Sequence, residues 1–157
     1  PCVVHPPCAQ WGIMRGLSND VPDLKALAPM AVEFVRNNGG VLEHPKGSLL
    51  WQHMKLPDPG ERADEYSGQT FAISQKWFGH RAEKLTLLYV VGCSLKDIPP
   101  LPITLGEAQA VIGRSRRRPG TIETTKSERE HTPIALAKWL VELASRCNRH
   151  LPGAAVE

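Results

Sequence analysis

Cys2-Val3-Val4-His5-Pro6-Pro7-Cys8 is the stretch on which the fold turns. Cys-Val-Val-His reads as the end of a short buried strand. Pro6 and Pro7 stop it, because proline lacks the N–H that a strand ladder needs. Residues 8–20 follow as a loop containing Gly, Ser, Asn and Asp. Asp20 is placed to cap a helix whose first turn carries Pro22. Leu24, Leu27, Ala31 and Val35 recur at helical spacing, with Ala28 and Phe34 widening the stripe. Pro29 implies a kink, or two short helices meeting there. Gly39-Gly40 ends the helix, and Val41-Leu42-Glu43 opens a second short strand that stops at Pro45. Strand, helix, strand is the unit of a parallel sheet.

The remaining chain extends that unit. Residues 47–54 read as a short helix and 55–67 as a polar surface loop. Thr70-Phe71-Ala72-Ile73 is a candidate strand. Leu85-Thr86-Leu87-Leu88-Tyr89-Val90-Val91, closed by Gly92, carries the strongest strand signal. Residues 93–103 form a proline-rich connection. Arg114, Arg116, Arg117 and Arg118 make a basic run before Pro119-Gly120, expected as a mobile loop over 114–120. Thr132-Pro133 opens a last helix, with Ile134, Ala137, Val141 and Ala144 on one face and Trp139 and Leu140 beside them. Residues 1–149 are therefore expected to form one α/β domain, a mostly parallel sheet with flanking helices, and 150–157 a frayed tail.

Composition narrows the class. A chain of 157 residues, 41% hydrophobic and 22% charged, can bury a core and is not disordered throughout. Net charge is +3, which suits a polyanionic partner without demanding one. No apolar run reaches bilayer length, so no membrane partner is expected. The opening residues carry no secretory pattern. Cysteines 2, 8, 93 and 147 are irregularly spaced and read as reduced thiols of a cytoplasmic protein.

Three stretches carry candidate chemistry. Pro6-Pro7-Cys8 follows a strand, where open α/β sheets place ligands, and two prolines would hold the cysteine at a fixed angle. A rigid turn with an inert thiol is the plainer alternative. Glu43-His44-Pro45 also lies at a strand end. A carboxylate there can protonate a ring nitrogen while a neighbouring thiolate attacks, or it is a solvated turn residue. Trp77-Phe78-Gly79-His80-Arg81-Ala82-Glu83-Lys84 interleaves aromatics with cations, as a nucleotide site does and as a packing corner does. Cys2, His5 and Cys8 have the spacing C-x2-H-x2-C. Strand alternation sends their side chains to different faces, which argues against a metal centre.

Taken in order, His5-Pro6-Pro7-Cys8, Leu42-Glu43-His44-Pro45, Phe78-Gly79-His80-Arg81-Ala82-Glu83-Lys84-Leu85-Thr86 and Ile98-Pro99-Pro100-Leu101-Pro102 resemble the core of the DNA cytosine-C5 methyltransferases. The resemblance is closer to the small methyltransferase-like proteins of phages and prophages. It covers residues 1 to about 103. It implies a truncated Rossmann-like fold in the host cytoplasm, with Cys8 attacking C6 of a cytosine and Glu43 protonating or holding N3. It implies that Arg81 contributes base contacts and that the target base is flipped out of its stack. Lys84 and the four arginines of the basic run would bind nucleic acid. S-adenosylmethionine would be the cofactor.

The chain departs from that pattern at three places. The glycine-rich cofactor turn is missing, since the first strand already leads into the cysteine loop. His44 stands where the family has Asn. Gln-x-Arg-x-Arg is not reproduced around Arg81. A catalytically inactive relic of the same fold, binding nucleic acid or a host protein, is the competing expectation. The basic run would serve it through phosphate contacts.

Overall fold

In the computed structural model, residues 1–13, 15–17, 21–112 and 122–148 are described. Strands β1 (Cys2–Val4), β2 (Gly40–Pro45), β3 (Gly68–Ser74) and β4 (Leu85–Val91) form one sheet of order β1-β2-β4-β3. β1 pairs parallel with β2, while β4 runs antiparallel to both β2 and β3. β1, β2 and β3 therefore share one direction, and β4 is the reversed strand inserted between β2 and β3. Helices α1 (Pro22–Asn38) and α2 (Leu50–Met54) cover one face, and α4 (Ile134–Ser145) covers the other. The expected α/β class holds, with three of the sheet's four strands pointing one way.

Each face has its own core. Val32, Val35, Leu42, Leu87, Tyr89, Leu50 and Trp51 pack on the α1 side. Val41, Leu88, Val90, Leu136, Leu140 and Leu143 pack on the α4 side. The split follows the two-residue alternation of the strands: Leu42 and Val41 face opposite layers.

The helices differ from expectation in which stripe they bury. α1 buries Ala28, Val32, Val35 and Arg36, whereas Leu24, Leu27 and Phe34 are exposed. Small and β-branched residues let the helix lie close on the sheet, and the larger side chains fall on its flank. α4 buries Leu136, Trp139, Leu140 and Leu143, leaving Ile134 and Val141 in solvent. The helix carries two apolar stripes, and the Leu/Trp stripe removes more area from water.

α1 also runs unbroken through Pro29, where a kink or a break was expected. Proline at 29 cannot donate to the carbonyl of Lys25, four residues back. The Trp11 indole N–H donates to that carbonyl instead, at 3.0 Å. The helix begins with Val21 at the N-cap, making no side-chain cap bond, and Pro22 in the first turn. Asp20, expected as the cap, lies outside the described residues, as do the basic run 114–118 and the tail 150–157.

Three further elements, two strands and a helix, were not anticipated. Ala110–Val111 and Ile122–Glu123 pair as the short parallel strands β5 and β6. α3 (Lys126–Glu130) is opened by a capping box between Thr125 and Glu128, a Thr-x-x-Glu signature visible in the sequence. The end of α4 is fixed to β4, since the Asn148 N–H donates to the Gly92 carbonyl at 2.7 Å.

Candidate functional site

Because β1, β2 and β3 share a direction, their carboxyl ends meet at one end of the sheet, beside the start of β4. His5 and Cys8 follow β1. Glu43 lies in the last half of β2. Gln75 follows β3, and Lys84 precedes β4. Ligand sites of open α/β sheets form at such carboxyl ends. The neighbouring, parallel placement of β1 and β2 brings the Cys8 loop beside the Glu43 strand.

Glu43 is buried, with a relative exposure of 9%. Burying a carboxylate is costly unless its oxygens are hydrogen-bonded, and both are engaged. Oε2 meets His5 Nδ1 at 2.7 Å. Oε1 accepts from Gln75 Nε2 at 3.2 Å, and the same amide nitrogen donates to Thr86 Oγ1 at 3.0 Å. Strands β1, β2, β3 and β4 thus each contribute to the polar chain His5–Glu43–Gln75–Thr86. Gln75 was not singled out from the sequence. The rule that directed attention to the ends of β1 and β2 also applies to the end of β3 and would have found it.

Cys8 and Lys84 complete the cluster. Cys8 is exposed, but partial desolvation of its sulfur, and then the Glu43 carboxylate, push the thiol above its ordinary range, while Lys84 opposes them. Lys84 is half-buried. Desolvation lowers its ammonium below the usual value against the attraction of Glu43 and Cys8. Its Nζ donates to the His131 carbonyl, just ahead of α4, at 3.2 Å. Lys84, expected to bind nucleic acid, is the cation coupled to both Cys8 and Glu43.

His44 alternates to the opposite face and is fully buried beside Trp51, ring centroids 6.5 Å apart. Among the described residues neither ring nitrogen closes a hydrogen bond of ordinary geometry, although the Pro7 carbonyl faces the ring. Burial pushes the imidazole down to about 4, so the ring is neutral packing behind the cysteine loop.

Arg81 pairs with Glu128 at 2.7 Å. It lines a cavity of about 280 Å³ together with His80, Glu128 and His131. The His131 carbonyl is the acceptor of Lys84, so this cavity adjoins the cation of the Cys8–Glu43 cluster. His80 is a structural cross-link, its ring bonded to the backbone of Ala82 and Glu128. The aromatic pair divides: Phe78 is buried edge-on against Trp139 at 5.6 Å, and Trp77 is half-buried against the same core. Phe78 is therefore a packing corner and not a stacking platform. Among the described residues no three His, Cys, Asp or Glu side chains are gathered to hold a metal ion, and no helix is long and apolar enough to cross a membrane.

No protein-family model, curated protein or solved structure matches this chain.

Proposed function

We propose that the chain is a phage-type, DNA cytosine-C5 methyltransferase-like domain that engages a nucleobase through the Cys8 loop. The observation that carries this reading is the cluster of Cys8 and Glu43 at the carboxyl ends of adjacent parallel strands with Lys84 at the start of the reversed β4. A thiol and a carboxyl so coupled suit addition to a pyrimidine. The Cys8 thiol gives its proton to solvent and the sulfur bonds to C6, the C5–C6 double bond shifts its electrons toward C5, and Glu43, as the carboxylic acid, delivers a proton to N3. The charge states favour that order. Glu43 as a carboxylate raises the Cys8 thiol, so the thiolate forms more easily while Glu43 is still protonated, before its proton passes to N3. Lys84 balances the charge of both groups. Arg81, beside the adjoining cavity, is assigned to the flanking base or phosphate.

The cofactor of such enzymes needs a glycine turn that lets the backbone approach it. Gly40 and Gly92, which flank β2 and β4, are already approached by the chain's own backbone. A Cβ at Gly92, φ +81°, would stand 1.9 Å from the Asn148 carbonyl oxygen, and one at Gly40 would stand 2.2 Å from that of Cys2. Neither glycine therefore offers the cofactor a turn to approach, and no step is assigned to S-adenosylmethionine. The same misfit favours a second reading, in which the domain binds bases or nucleic acid without methylating them.

Exchange of the cytosine C5 hydrogen with deuterated water tests the addition step without a cofactor. The expected result is exchange in a single-stranded oligonucleotide by the native chain and none by Cys8→Ser. Native protein that binds the oligonucleotide without exchange would leave the second reading; neither binding nor exchange would overturn both.

A further inference from the structure

We propose that His5 is the proton carrier of Glu43, connecting the buried carboxyl to solvent. The inference rests on the nucleobase reading above. A carboxylate only accepts hydrogen bonds, so His5 Nδ1, 2.7 Å from Oε2, carries the hydrogen and Nε2 is the basic nitrogen of the neutral ring. The other partner of Glu43 is the Gln75 amide, which does not release a proton. Lys84 Nζ donates to the His131 carbonyl and, among the described residues, makes no hydrogen bond to Glu43. The side chain of His5 is 38% exposed where that of Glu43 is 10%. The imidazole therefore spans from water to the carboxyl, and the adjoining Pro6-Pro7 restricts its backbone.

The transfer balances. The Cys8 thiol releases its proton to water, and water delivers one to Nε2 as the Nδ1 hydrogen passes to Oε2, so that solvent gains and loses one proton. Glu43 gives that proton to N3 as the Cys8–C6 bond forms. The electron-rich C5 of the adduct takes a deuteron from solvent and loses its original hydrogen to solvent; on elimination the S–C6 bond breaks, N3 returns its proton to Glu43 and the thiolate leaves. The charged and titratable groups coupled to Glu43 are Cys8 and Lys84 on the cysteine side and His44 on the opposite sheet face, and Glu130 acts on Cys8 in turn.

The same cytosine C5 exchange, measured across pH, tests the inference. His5→Asn keeps an N–H for Glu43 and cannot relay a proton. It is expected to slow exchange by about a hundredfold and to flatten the pH profile. His5→Ala should be rescued by added imidazole, with rates across substituted imidazoles that follow their acidity. Equal exchange by native protein and His5→Asn, or a slow His5→Ala that imidazole leaves unchanged, would overturn the inference alone. Native protein without exchange would overturn it together with the nucleobase reading. Thermal melting of each variant separates lost folding from lost relay.

Discussion

At the scale of residues, His44 and the cysteines make the sharpest claims. His44 is held neutral by burial, down to about 4 from 6.5. A depressed folded value means that the neutral ring's stabilisation is complete above pH 6.5. It is lost as pH falls through 4. The difference is worth about 3 kcal/mol. Urea unfolding of the native chain should weaken between pH 7 and 4.5 by about that amount. His44→Leu should remove most of the slope, and parallel curves for the two proteins would refute the assignment. The thiols differ in kind. Cys147 is buried, and burial with Cys93 nearby pushes it up to about 12; Cys8 belongs to an exposed loop. Alkylation mapped by mass should label Cys8 faster than Cys147 by roughly a hundredfold. Glu43→Gln should speed Cys8 further, because the carboxylate is the second cause of its raised thiol. Equal labelling of the two cysteines would count against a reactive loop.

At the scale of elements, α1 shows how one distant side chain preserves a helix. Pro29 leaves the Lys25 carbonyl without its helical donor, and Trp11 supplies one from the loop after β1. Trp11 is itself buried in the α1-side core. Trp11→Phe keeps most of the packing and removes the N–H, so it should cost about 1–3 kcal/mol. Pro29→Ala in the same chain restores a backbone donor and should recover part of that loss. Additive losses in the double-mutant cycle would show that the two residues are not coupled. The helix stripes carry a related lesson. In α4 the spacing of apolar residues identified a helix but allowed two faces. Only the sheet chose between them, through Val41, Leu88 and Val90 packed against Leu136, Leu140 and Leu143.

At the scale of the whole molecule, charge and cofactor decide what the domain can meet. The net charge of +3 is small, so any nucleic-acid affinity should depend on local cations. Replacing Arg114, Arg116, Arg117 and Arg118 by Ala is expected to weaken oligonucleotide binding and flatten its log–log salt dependence by up to about 3 units. Fluorescence anisotropy across a salt series measures the slope, and an unchanged slope would leave the run without a binding role. Calorimetry with S-adenosylmethionine should give weak or no heat. Micromolar binding, about −8 kcal/mol, would reveal a cofactor site that does not use a glycine turn.

What the sequence determined by itself was local: the existence and order of β1, α1, β2, β3, β4 and α4, from periodicity and from Pro and Gly breaks. Those signals act between residues close along the chain. It also marked Cys8 and Glu43, because loops after strands are where such sheets hold ligands. What only the tertiary structure decided was which groups meet. Gln75 reaches Glu43 across 32 positions of chain, and His5 reaches it across 38. Lys84 joins them only because the reversed β4 starts where β1, β2 and β3 end. Sheet order and strand direction set those meetings, and they arise from the burial of two helix layers on opposite faces rather than from any single stretch of sequence.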